Sequence, residues 1–403
     1  MLLKIILGCL AVLSLGLMLW QWGAAWRFPL HRRVSGASFF PGLTLLKPLK
    51  GCDQMTEDCL RSWLAQKYPG QVQTLFGVAD AEDPVCELVR RLLKQFPGAD
   101  AQLVVCGPLR GANLKVSKLA ELGRLARHEV VIISDADVKV PPDFLANIVA
   151  PLEDGAVGLV NCFYRLANSS TLAMRWEALA TNADFWSQAL QARSLKLDFA
   201  LGAVMATRRR QLQEIGGFEA LADCLADDYQ LGYRIARRGY RIELSPLVVE
   251  CWSTPIGWRA AWKHQLRWAR TIRVSLPAHY FFSILSNPTI WPLFYFAVNP
   301  TGSAFLLGLA CWLVRMAAAI DLQARLEREP QPSPHGPPSA VRSSQPAIDT
   351  DRPAGWGWAG GAWLALLKDL LQAAIWLLAF TGNSIEWRSR KMRLRRDGSM
   401  VAE

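Results

Sequence analysis

The chain has 403 residues, 51% of them hydrophobic and 20% charged, and it contains 17 Trp. This length allows two or three structural units, and the composition is typical of a membrane-associated protein. The net charge of +11 comes without zinc-finger spacing or an RNA-binding motif, which argues against a nucleic acid partner and favours a membrane surface plus a phosphorylated small molecule. The nine cysteines include no CxxC pair, which argues against a disulfide framework or a structural zinc site.

The first apolar run, Leu2–Trp20, is long enough to span a membrane. A cleaved signal peptide is the alternative, but Trp22, Trp26 and Arg27 follow the run where a small-residue cleavage site would be needed. We therefore predict an uncleaved transmembrane anchor over residues 1–26. The basic residues that follow it place the next domain in the cytoplasm, at a bacterial inner membrane.

Residues 38–256 alternate short β-rich runs with helical ones, which predicts an α/β domain with a mainly parallel, Rossmann-like sheet. Ligands of such sheets bind at the carboxyl ends of the strands. The predicted strands are Leu43–Leu46, Val72–Val78, Ala101–Cys106, Val130–Ser134, Val157–Cys162 and Ala200–Ala206, and the predicted helices are Asp58–Gln66, Val85–Phe96, Val116–Arg127 and Leu212–Ile215.

The remainder of the chain alternates basic, apolar and Pro-rich segments. A basic, aromatic helix is predicted to lie on the membrane surface, and the Pro- and Ser-rich segment is predicted to be a flexible linker. The last apolar segment contains Lys368-Asp369, so a span, a re-entrant hairpin and an interfacial helix all stay open. The predicted order is an interfacial helix at 257–285, transmembrane segments at 286–320, the linker at 321–355, the ambiguous apolar segment at 356–382 and a basic, cytoplasmic tail at 383–403.

The strongest chemical motif is Asp135-Ala136-Asp137, which ends an apolar strand. Extended backbone places positions i and i+2 on the same side, so both carboxylates can face one ion. A hard divalent cation that bridges to a diphosphate is the natural ligand of such a pair. A solvated pair of carboxylates at a strand end is an equally good interpretation of this motif alone.

Two further acidic clusters follow the same logic. Asp80 and Asp83 come after a predicted strand, where Asp83 could also cap a helix. Asp227-Asp228 opens a predicted helix, where the pair could act as a cap or supply a general base whose pKa is raised by its neighbour. For each cluster in isolation, capping is at least as good an interpretation as chemistry.

A cationic cluster lies in the segment His264-Gln265-Leu266-Arg267-Trp268. Arginine binds phosphate oxygens in a fork, and an indole packs beside it, although an anionic lipid surface would also select this pattern. Asn113 and Lys115 lie in a loop before a helix, where Lys115 could meet a phosphate or be a surface lysine.

Taken together in this order, the motifs make the sequence resemble the inverting glycosyltransferases of the GT-A fold, and within them the ceramide glucosyltransferase family. That family carries three aspartate signatures and a final (Q/R)xxRW motif, and the resemblance covers roughly residues 40–285. The last motif departs from the pattern because histidine stands where glutamine or arginine is usual. The matching segments are Asp80–Pro84, Asp135–Asp137, Leu225–Tyr229 and His264–Trp268.

The resemblance implies a UDP-sugar donor, Mg²⁺ or Mn²⁺ as cofactor, and a membrane lipid as acceptor. It implies that Asp80 contacts the uridine and that Asp135 and Asp137 hold the metal and diphosphate. It also implies that Arg267 neutralises the leaving UDP and that Asp228 is the catalytic base. The other donor-binding residues expected are Asp83, Asn113, Lys115, His264 and Trp268.

The expected reaction is transfer of glucose from UDP-glucose to the primary hydroxyl of ceramide or a similar membrane lipid, with inversion. Bacterial hopanoid-associated glycosyltransferases resemble the sequence over the same span and would use UDP-N-acetylglucosamine and a polycyclic lipid. A processive polysaccharide synthase shares the donor signatures but usually needs more membrane spans.

Overall fold

The structure is a computed structural model, and it describes residues 1–34, 38–108, 110–195, 199–328, 361–387, 390–395 and 397–403. Its strands are β1 Leu43–Pro48, β2 Val72–Val78, β3 Asp100–Val105, β4 Val130–Ser134, β5 Val138–Lys139, β6 Val157–Leu166, β7 Val204–Arg208, β8 Arg241–Cys251, β9 Ser384–Trp387, β10 Arg390–Leu394 and β11 Met400–Ala402.

The helices cover the sheet and extend beyond it into the apolar parts of the chain. They are α1 Leu2–Arg27, α2 Thr56–Leu64, α3 Val85–Gln95, α4 Leu114–Leu125, α5 Phe144–Val149, α6 Leu172–Ala178, α7 Trp186–Ser194, α8 Arg209–Glu214, α9 Asp227–Ala236, α10 Trp258–Ser275, α11 Pro277–Ser283, α12 Ile290–Val298, α13 Gly302–Glu327 and α14 Trp363–Ala379, with a π-helical turn at Leu179–Phe185 joining α6 to α7.

In the described part of the chain, eight strands form one sheet in the order β3-β2-β1-β4-β7-β6-β8-β5. The β1–β2, β2–β3, β1–β4 and β6–β8 pairs are parallel. The β4–β7, β6–β7 and β5–β8 pairs are antiparallel. This mainly parallel sheet confirms the predicted α/β fold of the GT-A type.

Both faces of the sheet are buried because its central strands alternate apolar residues between two cores. Leu43, Leu45 and Ile132 belong to one hydrophobic cluster, which α5 completes. Leu46 and Ile133 belong to the cluster on the other face, which α4 covers. A parallel strand buried on both faces reads as a continuous apolar run, which is why the sequence located these strands to within about two residues.

The predicted strands need correction at several places. Strand β5 was not predicted and β6 continues to Leu166 instead of ending at Cys162, and the largest differences in the eight-stranded sheet are at β7 and β8. Residues 200–203 are a loop and the strand is β7, so the prediction Ala200–Ala206 was displaced. The strand starts later because the backbone at Gly202 passes close to Asp228: a Cβ added at Gly202 would lie 2.5 Å from Asp228 Oδ2. The longest strand, β8, was not predicted because Ser245-Pro246 interrupts its apolar pattern.

The segment predicted to be a linker at 321–355 also differs where it is described. Helix α13 continues to Glu327, because Leu322 and Leu326 are buried against the α/β domain and Arg325 pairs with Asp321 one turn earlier. The rest of that segment, from residue 329, lies outside the described residues.

Helices α1 and α13 are each long and apolar enough to cross a membrane. The apolar pair Pro277–Ser286 and Ile290–Val298, bent by 58°, could form a third crossing. Lys4 Nζ donates to Asn299 Oδ1 at 3.2 Å at one end, and Trp22 Nε1 donates to Asp321 Oδ2 at 2.7 Å at the other. Helices α1 and α13 therefore run side by side in the same direction.

Candidate active site

A cleft lined by aspartates opens where β4 ends. Asp135 follows the last residue of β4 directly, and its backbone amide donates to Ala203 O at 3.3 Å. Asp137 lies one residue further on, and its carbonyl accepts from the amide of Trp252 at 2.9 Å, at the end of β8. Three strands therefore fix the backbone that carries the two carboxylates, at the sheet edge where the topology places ligands.

Lys115 joins two of the predicted acidic motifs. Its Nζ lies 2.7 Å from Asp135 Oδ1 and 3.3 Å from Asp227 Oδ2. Burial would lower the pKa of this ammonium, but the two carboxylates raise it above its ordinary value. Lys115 is therefore a charged partner inside the cleft and not the surface lysine that was the alternative interpretation.

Asn113 positions Lys115 by capping the start of α4. It is fully buried, and its Oδ1 accepts from the amides of Lys115 and Val116 at 3.0 and 3.2 Å, which caps α4. Its Nδ2 donates to Cys224 O at 2.8 Å, in the loop that precedes α9. Because its hydrogen bonds are made within the protein, direct contact between Asn113 and a donor stays a prediction.

Asp228 lies in the first turn of α9, packed against Gly202. Burial, and then the neighbouring charge of Asp227, raise the pKa of Asp228 to about 6, while Lys115 opposes the change. A carboxyl group with a pKa near neutrality can both take and release a proton, which is what a general base requires.

Asp137 is exposed to solvent beside Asp135. Loss of hydration next to the surrounding protein, and then the negative charge of Asp135, raise the pKa of Asp137 to about 6. A cation shared by the two carboxylates would remove that repulsion. Among the described residues no group of three or more His, Cys, Asp or Glu side chains encloses a metal; one or two carboxylates plus substrate phosphates are how Mg²⁺ is usually bound, so the pair fits such an ion.

Lys47 is a residue of this site to which the sequence assigned no role, although the segment Lys47–Gly51 resembles the opening of the family's domain. It is fully buried, and its Nζ donates to Asp135 O at 2.5 Å and to Ser134 Oγ at 3.2 Å, with the Trp63 ring centroid 4.8 Å away. Burial lowers the pKa of Lys47 to about 8. A buried ammonium beneath the Asp135 backbone supports the end of β4, and the signal for it was a lysine within an otherwise apolar strand.

Asp80 and Asp83 line a neighbouring cavity of about 590 Å³ together with Lys50, Gly111 and Lys118. Asp80 is exposed, and it accepts from the amide of Glu82 at 3.0 Å. Asp83 accepts from the amide of Gly51 at 2.9 Å and from that of Val85 at 3.1 Å. Asp83 therefore ties the β1 loop to α3, and Asp80 is the more available of the two for a ligand.

The basic aromatic motif lies on α10, where a buried glutamate holds its first residue. Glu177 Oε1 lies 2.5 Å from His264 Nδ1 and accepts from Gln265 Nε2 at 3.1 Å. The His264 ring centroid lies 4.6 Å from that of Trp268. Glu177 was not predicted as a site residue, because only the fold brings it to a histidine 87 residues away in sequence.

Aromatic rings connect α10 to the cleft. Trp268 contacts Phe185 with centroids 6.3 Å apart, and Phe185 contacts Tyr164 at 5.8 Å. Burial, and with it the negative charges of Asp228 and Asp135, raise the pKa of the Tyr164 hydroxyl. The fold thus brings α10 to the side of the aspartate cleft.

Comparison with known proteins identifies the family of the chain. The chain matches glycosyl transferase family 21 over residues 6–400, nearly its whole length. It belongs to glycosyl transferase family 21. The family relationship inferred from the motifs is therefore confirmed.

Several curated proteins are similar to this chain at low identity. Ceramide glucosyltransferase 3 of Caenorhabditis elegans is 23% identical over 220 residues, which cover 54% of this chain and 48% of the relative. Probable glycosyltransferase YdaM of Bacillus subtilis is 24% identical over 265 residues, which cover 64% of this chain and 61% of YdaM. The chain therefore spans about half the length of the C. elegans relative that it matches.

Among solved structures, this chain is similar to a mannosyltransferase from Pyrobaculum calidifontis in complex with GDP-Man and Mn²⁺. The two are 22% identical with a TM-score of 0.49, and the match covers 80% of this chain and 89% of that one.

Proposed function

We propose that this family 21 glycosyltransferase moves glucose from UDP-glucose to the primary hydroxyl of ceramide or a similar membrane lipid, with inversion at the anomeric carbon. The observation that carries the proposal is the position of Asp228. Its carboxylate packs on Gly202, and the adjacent Leu201 belongs to the same apolar cluster as Ala319 and Leu322 of α13. A base next to a membrane helix suits an acceptor whose hydroxyl lies at the membrane surface.

On the donor side, Asp135 and Asp137 would hold Mg²⁺ or Mn²⁺, and the cavity beside Asp80 would receive the uridine. When bound, the metal neutralises negative charge on the diphosphate. Lys115, already paired with Asp135, adds a fixed positive charge. Preorganised charges that face the leaving group stabilise the transition state without having to rearrange.

On the acceptor side, Asp228 would take the proton from the lipid hydroxyl as that oxygen attacks the anomeric carbon. The bond between the anomeric carbon and the UDP oxygen breaks in the same displacement, and the electron pair leaves with UDP. A single displacement needs one base, unlike glycoside hydrolysis, which uses two carboxyl groups. Arg267 and His264 on α10 would bind the departing UDP, with Trp268 packed beside them.

We also propose a membrane arrangement in which the α/β domain is cytoplasmic and the bent α11–α12 pair is a third crossing. It rests on the parallel packing of α1 and α13, because two parallel spans need one crossing in the opposite direction between them. Helix α14 would then lie in the interface: Leu364 packs near the end of α13 and Ile375 packs against α6 and α10.

The decisive experiment supplies membranes containing the full chain with UDP-glucose and ceramide, and separately with UDP-N-acetylglucosamine and a hopanoid. Mass analysis of the lipid extract should find β-glucosylceramide in the first reaction, and EDTA should abolish it until Mn²⁺ or Mg²⁺ is restored. Product only in the second reaction would reassign donor and acceptor. A polymeric product would indicate a polysaccharide synthase, and full activity after EDTA treatment would remove the metal from the proposal.

A further inference from the structure

The C-terminal segment predicted to be a basic tail folds into a small antiparallel sheet. Strand β10 pairs with β9 on one side and with β11 on the other. The sheet follows α14, so helices α10 to α14 separate it along the chain from the α/β domain. It nevertheless packs against two elements of the candidate active site.

The first of these elements is the loop that leads into α9. Cys224 and Ser399 form an antiparallel bridge. The amide of Met400 donates to Asp223 O at 2.7 Å, and the amide of Leu225 donates to Gly398 O at 3.4 Å. Asp228 is four residues beyond Cys224 of this bridge, so the C-terminal sheet extends the backbone that positions the base.

The second element is α10, which carries the His264–Trp268 motif. Arg270 donates to Ser384 O, Arg273 donates to Asn383 Oδ1, and Lys263 Nζ pairs with Glu386 at 2.5 Å. These contacts lie along one side of α10, before and after the motif. They fasten the helix to the first strand of the sheet.

An apolar cluster fills the space between the two attachments. It comprises Leu225, from the loop before α9, and four side chains of the C-terminal sheet. Ala112, from the loop before α4, and Val274 of α10 pack against it. Ala112 precedes Asn113, whose Nδ2 donates to Cys224 O at 2.8 Å. One hydrophobic cluster therefore joins three segments: the loop that precedes Asp228, the loop that precedes Lys115, and helix α10. The four sheet residues are Ile385, Met392, Leu394 and Met400.

We propose that this C-terminal sheet is a brace that fixes the distance between Asp228 and α10 during transfer. The inference rests on the proposed function, because it assigns the base to Asp228 and the leaving group to α10. The sheet itself touches neither substrate; its residues are positioning residues. Displacing a reacting group by about 1 Å can cost on the order of 100-fold in rate, so loss of the brace should lower kcat. The KM for the UDP-sugar should change much less, because Asp80, Asp135 and Asp137 hold the donor from elements outside the cluster of the sheet.

The test detaches the brace by one substitution in the full chain. Met400→Asp puts a charge into the apolar cluster, whereas Val401→Asp alters the next residue, which is less buried and faces the other side of the strand. We expect Met400→Asp to lower kcat at least about tenfold and to change the KM for the UDP-sugar by a much smaller factor. We expect Val401→Asp and the conservative Met400→Leu to keep kcat within about twofold. A wild-type kcat for Met400→Asp overturns the brace.

A second variant refastens the brace and separates positioning from misfolding. The hydrogen bonds around Cys224 and Ser399 make them a non-hydrogen-bonded pair, whose Cα atoms lie about 4.5 Å apart, within disulfide range. Ser399→Cys should therefore form a disulfide with the native Cys224 on mild oxidation. In the Met400→Asp/Ser399→Cys double variant, oxidation should restore most of kcat and reduction should remove it again.

Each outcome of the cross-linking experiment is informative. The brace is overturned if the disulfide does not form, or if it forms and kcat stays low. It is also overturned if the Ser399→Cys single variant loses activity on oxidation, because the sheet would then be a lid that has to move. The matched control is the double variant with Cys224→Ser, which cannot cross-link and should not recover. If wild-type membranes transfer no sugar to lipid at all, the proposed function fails instead.

Discussion

Two clusters of charged side chains, one in the aspartate cleft and one between α13, α14 and the π-helical turn, differ in how their charges are balanced. The cleft cluster comprises Asp135, Asp137, Asp227, Asp228, Lys115 and Lys47, which is four negative charges against two positive. The membrane-side cluster comprises two carboxylates and two cations and is neutral: Asp184 from the π-helical turn, Arg315 from α13, and Lys368 and Asp369 from α14.

The membrane-side cluster is closed and its charges are paired. Arg315 donates from Nη2 to Asp184 Oδ2 and from Nε to Asp369 Oδ2, both at 2.9 Å. Lys368 pairs with Asp184, and Thr289 donates to Asp369 Oδ2 at 2.6 Å. These four charged side chains are at most 12% exposed. Such pairing is what burial of charge in an apolar region requires.

The cleft cluster is open and carries unbalanced negative charge. Asp135 is 40% exposed at its side chain, and the pKa values of Asp137 and Asp228 are raised to about 6. Excess charge that the protein does not neutralise marks a place where a ligand does so. The comparison therefore assigns chemistry to the cleft and architecture to the membrane-side cluster, although both clusters are built from aspartates and cationic side chains.

The largest effect is expected from Asp228→Asn, which removes the base and leaves the shape. Transfer to lipid should fall about 10²–10⁴-fold, while the melting temperature stays the same or rises, because a like charge beside Asp227 is removed. Transfer assays in membranes and thermal unfolding in detergent measure both. Asp154→Asn, an exposed carboxylate paired with Arg241, is the matched control and should behave as wild type. Wild-type transfer by Asp228→Asn would assign the base elsewhere.

The opposite pattern is expected from Arg315→Met in the membrane-side cluster. Removing one partner of a buried ion pair leaves the other uncompensated and costs about 3–5 kcal/mol, so the unfolding free energy in detergent should fall by that amount. The folded fraction should keep its specific activity. A second substitution, Asp369→Asn, should return part of the stability because it restores charge balance. Unchanged stability in Arg315→Met would mean that the cluster is not closed as described.

These two clusters also show what the sequence could and could not predict. Asp135, Asp137 and Asp228 were identified because strand ends and helix starts are local patterns that place carboxylates at a ligand edge. Lys368 and Asp369 left α14 ambiguous, because their partners are 184 and 54 residues away in sequence. Local patterns reveal positions on an element, whereas charge compensation depends on which elements meet.

The same limit applies to the fold. Strands β2 and β4 were predicted with their observed bounds because each is an apolar run buried on both faces. The C-terminal sheet was missed because basic residues dominate β10, and its apolar side chains become buried only when Leu225 and Val274 are brought to them. The π-helical turn at Leu179–Phe185 has no sequence signal of its own, and its carboxylate Asp184 was missed with it.

A smaller effect is expected when transfer activity and stability are measured against pH, because Asp228 of the cleft cluster titrates near pH 6. Because the pKa of Asp228 is raised to about 6 by burial and by Asp227, transfer should fall about tenfold for each pH unit below 6 as the base is protonated. The sign for stability is opposite: a carboxyl group whose folded pKa lies above its unfolded value binds its proton more tightly when folded, so the unfolding free energy of metal-free protein should rise as pH falls from about 6 to 4. Asp228→Asn should lack its share of that rise, which thermal unfolding against pH would detect.

The smallest effect is stabilisation of the folded protein by the metal, and it depends on Asp137. A ligand at ten times its Kd that binds only the folded state adds about 1.4 kcal/mol of unfolding free energy. Mn²⁺ added to the metal-free protein in detergent should therefore raise the melting temperature by a few degrees. Asp137→Asn should lose that increase without losing stability in the absence of metal, because the substitution removes a charge that Asp135 already opposes. Arg315→Met should have a lower melting temperature but should show the same increase on addition of Mn²⁺, because Asp184 and Asp369 are buried away from the metal. If Asp137→Asn kept the increase and Arg315→Met lost it, the metal would bind on the membrane side and the contrast between the two clusters would be reversed.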